Sequence, residues 1–461
     1  MKSRGSIVVW MLLAAAWAGA ANAVDAPSRP NILLVVADDL GWSDVGWHGG
    51  FAQTPHMDAL VRDGVELDRH YVQPVCTPTR AALMTGRYPG RFGPHVVVPS
   101  NRRALPPDTV TLPAALRSLG YATFQVGKWH LGSRPEWGPN HYGFDHSYGT
   151  LTGAADPWTH KYRRGPYEDT WHRDGQRLDD EGNATELVTA EAVRRIRAAA
   201  DGGPRRPWFL YVAFHAVHTP VDAPERFTRL YDGVRFHEDP AKQDSRLRLA
   251  AMVSQLDDSL GRFVAALDET GQRRDTLIVF TSDNGGIESL KNAYVGDVAD
   301  SPLNSENDPL RGQKGTLYEG GVRVCAFANW PGTLAPRRCT GVIHAADWFP
   351  TIAGLVGWRP PESLAWDGID RWSTLSGRGD DRPRPLCIVH PSGRAVFDGG
   401  WKLIAGPKKP PELYDLAADP YERRNLAGDR ADVVSRLQGV AAEDAAQDVT
   451  ELPADLRSAP P

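Results

Sequence analysis

Two textures alternate along the chain. Some short runs are apolar throughout, and in longer stretches the apolar residues recur every three or four positions. Asn31-Ile32-Leu33-Leu34-Val35-Val36-Ala37 is the first continuous run. Its length and β-branched content predict a strand buried on both faces, as in a parallel sheet. Trp208-Phe209-Leu210-Tyr211-Val212-Ala213-Phe214 and Thr276-Leu277-Ile278-Val279-Phe280-Thr281 share this texture, and residues 121–126 supply another candidate. Between residues 251 and 267 the period changes. Met252, Val253, Leu256, Leu260, Phe263, Val264 and Leu267 fall on one helical face, and Gly271 follows as a terminator. Residues 111–119 and 187–199 also read as helices. Strand, loop and helix in repetition predict an α/β fold: a large mixed, mostly parallel sheet flanked by helices.

Near residue 368 the texture changes. Asp380-Asp381-Arg382-Pro383-Arg384-Pro385 reads as a charged turn or linker. Short strand candidates follow at 386–390, 394–397, 401–405 and 412–416, and predict a smaller C-terminal antiparallel sheet. The expected division is an export signal at 1–23, a main domain at 24–367, a small antiparallel-sheet subdomain at 368–437, and a partly helical tail at 438–461 with a disordered end.

The N-terminus carries Lys2 and Arg4, an apolar core from Ile7 to Ala20, and the small-x-small motif Ala21-Asn22-Ala23. This is the build of a cleavable signal peptide, so the chain is expected to pass the export machinery and reach the periplasm or the medium. The apolar core is short for a membrane span, and no other segment approaches that length, so no stable membrane insertion is expected. Hydrophobic residues make up 41% of the 461, charged residues 24%, and the formal charge is −5. This balance suits a large globular body and excludes the basic surface of a nucleic-acid binder. Four cysteines, Cys76, Cys325, Cys339 and Cys387, are too few for a disulfide framework in a chain this long. Cys325 with Cys339, or Cys339 with Cys387, remain open as pairs.

The candidate chemistry gathers where strands end. Asp38-Asp39 follows the first apolar run, and Asp283-Asn284-Gly285-Gly286 follows the run at 276–281. Open α/β sheets place their ligands at such ends. Adjacent buried carboxylates repel and require a cation or a proton. Three carboxylates and an amide form a hard, all-oxygen set suited to Ca²⁺, with Mg²⁺ second, and poorly suited to zinc. Lys128 and His130 in Gly127-Lys128-Trp129-His130-Leu131-Gly132 lie two apart, so an extended segment would point both to one side. His218-Thr219-Pro220 and Arg311-Gly312-Gln313-Lys314-Gly315 are polar loops beside turn residues. Arg80, Lys128, His218 and Lys314 beside a hard metal would make a positive pocket for an oxyanion ester, a sulfate or a phosphate. His215 reads as a packing residue rather than a member of this set.

Cys76-Thr77-Pro78-Thr79-Arg80, followed by Leu83, Thr85, Gly86 and Arg87, resembles the signature of the sulfatase family. Lys128-Trp129-His130-Leu131-Gly132 resembles its second signature. The motifs at 38–39, 217–220, 283–286 and 311–314 follow in the family's order, and the resemblance runs from Asn31 to about Leu426. It implies a formylglycine-dependent sulfatase on an alkaline-phosphatase-like fold, in flavour near the arylsulfatase and N-acetylgalactosamine-4-sulfatase branch. The one departure is Thr79, where the commoner signature has serine.

The resemblance further implies that a formylglycine-generating or sulfatase-maturating enzyme converts Cys76 to Cα-formylglycine. A hydrated aldehyde would suit a hard ion better than a soft thiolate does. Asp38, Asp39, Asp283, Asn284 and residue 76 would hold the metal. The gem-diol at 76 would attack sulfur and form a covalent sulfoenzyme, with Arg80 orienting it. Lys128, Lys314 and His218 would bind sulfate, and His218 or Lys314 would protonate the leaving alcohol. His130 would take the proton whose removal expels sulfate and regenerates the aldehyde. The expected substrate is an aryl sulfate or a sulfated sugar, gripped by loops around 151–180 and 287–308, with Trp158, His160, Tyr162, Arg163 and Arg164 as candidates. The rival readings are a phosphate monoester or phosphonate hydrolase of the same superfamily, a secreted non-catalytic protein on this fold, and a cysteine hydrolase using Cys76 and His130.

Overall fold

A computed structural model of the chain describes residues 29–162, 167–200, 206–288, 305–379 and 384–457. The export signal, Arg163, Arg164, most of the 287–308 loop and most of the 380–385 linker lie outside these residues. Ten strands form the main sheet, in the order Arg337–Cys339, Val65–Leu67, Ala326–Asn329, Thr276–Ser282, Asn31–Ala37, Trp208–Ala213, Ala122–Lys128, His146–Thr150, Trp171–Arg173, Gln176–Arg177. The middle five, from Thr276–Ser282 to His146–Thr150, run parallel. Antiparallel strands flank them on both sides. The continuous apolar runs occupy the centre, where both faces are covered. Thr276–Ser282 and Trp208–Ala213 are buried at every position.

The helices cover both faces. Thr111 caps the helix Leu112–Ser118 by accepting from the Ala114 N–H. The helix Ala184–Ala198 starts at Asn183, whose side chain accepts from Thr185 and Glu186. The helix expected at 251–267 is much longer and spans Pro240–Glu269. Asp239 caps it and Pro240 takes its first position. Its first turns face solvent, so they carry no apolar stripe. Among the described residues no helix is long and apolar enough to cross a membrane.

The strands Leu386–His390, Gly393–Asp398, Trp401–Gly406 and Lys409–Asp415 form an antiparallel meander. Its inner residues Ile388, Val396, Leu403 and Leu413 belong to the same apolar cluster as Val322, Val324 and Ile343 of the main body. The helix Ala431–Ala445 packs on this sheet through Val433 and Leu437 and crosses position 438, where the tail was expected to begin. Asp444 near its end accepts from Arg91 and Arg394 and ties the helix to the main body. All four cysteines are buried and free, so neither of the pairings left open by the sequence forms.

Candidate active site

The parallel strands deliver their carboxyl ends to one place. Asp38 leaves Asn31–Ala37 with its N–H on the Ala216 carbonyl (2.9 Å), and its own carbonyl accepts from Val217 (2.7 Å). Asp39 adopts a left-handed φ of 63°. Non-glycine residues hold that conformation at a cost, and it is concentrated at functional sites. Asp283 leaves the neighbouring strand, and its N–H donates to the Ala37 carbonyl (3.1 Å).

Cys76 is the first residue of the helix Cys76–Thr85, all ten of whose residues are buried. The signature segment is thus a helix rather than the loop its Thr-Pro-Thr composition suggests. Pro78 sits in the first turn, where a missing N–H leaves no bond unmade. Arg80 lies one turn on from Cys76, on the same face. Its Nε and Nη2 donate to Asp283 Oδ2 at 3.0 and 2.7 Å, and Nη1 donates to the Lys128 carbonyl at 3.1 Å. Lys128 Nζ lies 2.5 Å from Asp38 Oδ2, and Lys314 Nζ lies 2.6 Å from Asp39 Oδ1. The Lys314 loop is held from both sides. Lys314 N–H donates to the Gly286 carbonyl (3.1 Å), and Gly315 N–H donates to Pro74 (2.7 Å), just ahead of Cys76.

The donor set has the character of a hard-cation site. Asp38, Cys76 and Asp283 offer ligand atoms within 4.8 Å of one another, as do Asp38, Asp39 and His218. Among the described residues, Asp38 Oδ1, Asp39 Oδ2 and Asn284 Oδ1 are buried without a hydrogen-bond partner. Buried acceptors in that state are costly unless something positive meets them. Burial raises Asp38, and it raises Asp283 to about 6. Burial acts on Asp39 too, but Lys314, by charge and hydrogen bond, outweighs it and holds Asp39 low.

The sulfatase family profile matches residues 30–358. The chain belongs to the sulfatase family. Across 472 residues it is 32% identical to arylsulfatase J of Mus musculus, over 89% of this chain and 75% of that one. It is 33% identical to N-acetylgalactosamine-6-sulfatase of Mus musculus, over 78% of this chain and 69% of that one. The solved structure of Ps i-CgsB in complex with k-i-k-neocarrahexaose superposes with a TM-score of 0.80 at 28% identity, covering 91% of this chain and 94% of that one. As a sulfatase, the chain is a hydrolase of sulfate monoesters on an alkaline-phosphatase-like fold.

The sulfatase signature's departure at position 79 has a structural reading. Thr79 Oγ1 accepts from the Gln73 N–H (2.9 Å) and lies 3.2 Å from the Gln73 carbonyl. The hydroxyl staples the turn that leads into Cys76, a contact a serine would also make. His130 reaches the site by a route the sequence argument missed. Lys128 ends its strand, and His130 follows in a left-handed conformation (φ 58°), so strand alternation does not relate the two. A Cβ on Gly153 would lie 2.1 Å from His130 Nε2, so only glycine admits this ring. Burial, with Lys128 and Arg80 nearby, pushes His130 well below its ordinary pKa, and its Nδ1 has no partner.

His218 Nδ1 lies 2.7 Å from the Thr219 carbonyl, and Nε2 lies 3.6 Å from Asp39 Oδ2. A carbonyl only accepts, so Nδ1 carries hydrogen, and Nε2 is the atom that faces Asp39. Burial lowers its pKa to about 4 despite Asp39. Two residues near the site were not among the predicted set. His215 packs against Thr150 Oγ1 at 2.6 Å and is held well below its ordinary pKa by burial and by Lys128 and Arg80. Burial raises the Tyr211 hydroxyl to about 12, partly offset by Arg80 beside it. Tyr211 belonged to an apolar run, which gave no hint of a polar task. Of the residues expected to grip substrate, His160 is buried, stacked on Trp171 with ring centroids 4.4 Å apart, and bonded to the Gly182 carbonyl. Trp158 is exposed and donates to Asp222 (2.9 Å).

Proposed function

We propose that this sulfatase removes sulfate from a sugar unit of a sulfated saccharide, using Ca²⁺ and a Cα-formylglycine made from Cys76 by a maturating enzyme. The observation that carries this reading is the trio of unpartnered buried oxygens on Asp38, Asp39 and Asn284, set beside Cys76 and three cations. Ca²⁺ held by those residues with Asp283 and residue 76 would supply positive charge toward the sulfate and the attacking oxygen. Burial raises the Cys76 thiol's pKa, despite Lys128 and Lys314, so the unmodified side chain is a poor nucleophile here. The aldehyde hydrate offers a hard oxygen instead.

The remaining roles fall to groups already in place. Arg80, fixed by two bonds to Asp283, orients the oxygen at 76. Lys128 and Lys314 bring full positive charge to the sulfate oxygens, where negative charge builds up. Lys314 holds its proton firmly, because Asp39 outweighs burial and raises its pKa well above the ordinary value. His218 supplies a proton to the leaving oxygen only once a bound anion raises its pKa. His130, neutral and with Nδ1 unpartnered, is the proton acceptor at residue 76. Saccharide rather than aryl specificity draws on the likeness to the Ps i-CgsB complex and to N-acetylgalactosamine-6-sulfatase. Export by the N-terminal 23 residues completes the proposal, since such glycans lie outside the cell.

The test is twofold. The peptide carrying Cys76 should show the mass of an aldehyde in place of the thiol. The purified chain should then release sulfate from sulfated mono- and oligosaccharides faster than it cleaves a phosphate monoester. An unconverted Cys76 in fully active protein, or a preference for phosphate, would overturn the reading.

A further inference from the structure

Beside the sheet edge lies a cavity of about 350 Å³, lined by Arg134, Leu151, Tyr167, Asp169, Trp171 and Arg177 among others. That volume is at the lower end of the range for small-molecule sites. The cavity adjoins the candidate active site. Trp171 pairs with Thr150, and Thr150 pairs with Lys128, so Trp171 stands two strand spacings, about 10 Å, from Lys128. The Leu151 carbonyl accepts from the His130 N–H at 3.1 Å.

Two polar groups on its wall make no hydrogen bond among the described residues. The Tyr167 hydroxyl is buried without a hydrogen-bond partner, and the residue is 6% exposed. Arg134 stacks on Trp137 at 4.7 Å and pairs loosely with Glu136 at 3.8 Å, too far for a hydrogen bond, so its N–H groups keep their donor capacity among the described residues. Arg177 is different, since Asp169 neutralises it. A guanidinium with free N–H donors and a phenol without a partner, over apolar walls, suit a ligand that is part hydrocarbon, part hydroxyl and anionic.

We propose that this cavity binds an anionic sugar unit of the substrate glycan, adjacent to the unit whose sulfate is cleaved. The anion is a carboxylate or a second sulfate, and Arg134 and Tyr167 receive it. This inference rests on the reading of the substrate as a saccharide, and its test is a binding measurement separate from turnover.

The mature chain is titrated calorimetrically with desulfated chondroitin tetrasaccharide, a sulfated galactan tetrasaccharide and neutral maltotetraose. At least one anionic probe should bind about tenfold more tightly than the neutral one, the worth of one charge-assisted hydrogen bond. The tighter of the two identifies carboxylate or sulfate as the anion. Arg134→Gln and Tyr167→Phe should each remove most of that advantage, and Arg134→Lys should keep part of it. Equal binding of neutral and anionic probes to the unaltered chain would overturn the proposal. So would anionic binding that persists undiminished in Arg134→Gln and Tyr167→Phe. Loss of the underlying saccharide-sulfatase reading would show differently, as oligosaccharide binding without sulfate release from any sugar.

Discussion

Lys402 lies outside the active site, yet its loss should be costly. It rises from the small sheet into the main body, where Nζ lies 2.9 Å from Glu319 Oε1 and 2.7 Å from Glu422 Oε1. All three side chains are at most 1% exposed. At an effective dielectric of about 20, each contact is worth roughly 6 kcal/mol of Coulomb energy, which offsets the burial of three ions. Lys402→Met removes both attractions and leaves two carboxylates facing each other. Breaking a buried pair in this way costs about 3–5 kcal/mol, a large part of a typical stability of about 5–15 kcal/mol. Proton uptake limits the loss. Burial already raises Glu422 with Lys402 opposing it, so in the variant it rises further above the unfolded glutamate's value of about 4.3. The folded variant then binds a proton that the unfolded chain releases. Its stability falls as pH climbs from about 4.3 through the raised value. Guanidinium unfolding of both proteins at pH 5 and pH 8, with calcium held constant, should show the larger deficit at pH 8. Adding Glu422→Gln should recover part of it, because Glu319 retains Tyr71 (2.9 Å) and Arg323 (3.7 Å). A deficit below about 1 kcal/mol at pH 8, or one equal at both pH values, would refute the reasoning.

Asp283→Ala deprives the proposed metal set of a carboxylate and leaves buried Arg80 without the oxygen that accepts two of its N–H groups, so calcium affinity should fall at least about tenfold by calorimetry. Unchanged affinity would remove Asp283 from the set. Cys76→Ser offers one hydroxyl where the proposed aldehyde hydrate offers two, so sulfated protein should accumulate by intact mass with turnover nearly abolished; multiple turnovers at the unaltered rate would refute this. Asp257 accepts from the His56 and Met57 N–H groups at the start of the helix Pro55–Arg62, and burial raises it to about 6. Since an unfolded aspartate titrates near 3.9, this group makes stability fall between about pH 4 and 6, by at most about 3 kcal/mol. Asp257→Asn should therefore gain on the unaltered chain from pH 4 to pH 7, and a constant difference between the two would contradict it.

What could be read from the sequence was whatever burial writes into consecutive residues. The fully covered strands declared themselves as unbroken apolar runs, and Asp38-Asp39 and Asp283-Asn284 stood where parallel strands deliver their ends. The helix from Cys76 to Thr85 did not declare itself. It is buried all round, so it has no polar face to give a period, and its Thr-Pro-Thr opening resembles a turn. The early turns of Pro240–Glu269 were missed for the opposite reason, being exposed and polar, although Asp239-Pro240 is a readable start signal. Lys128 and His130 both reach the site, but not by strand alternation, because a positive φ at His130 is a tertiary decision enforced by packing against Gly153.

The small sheet shows why part of the site stays beyond local pattern. Lys314 comes near Cys76 only because its loop is fixed, and much of that fixing comes from residues about a hundred positions away. Arg311 Nη1 donates to the Tyr414 hydroxyl (2.8 Å) and the Glu422 carbonyl (3.1 Å), and Glu422 Oε2 accepts from the Glu319 N–H (2.7 Å). Gly320, next along, donates to the Arg311 carbonyl (2.7 Å) and closes the loop on itself. The buried Glu319 N–H would otherwise lack an acceptor. The loop's geometry is therefore set by the same charges that hold the small sheet against the main body. A change that loosens Lys402 from Glu319 and Glu422 should reach Lys314 without touching it, lowering turnover together with stability.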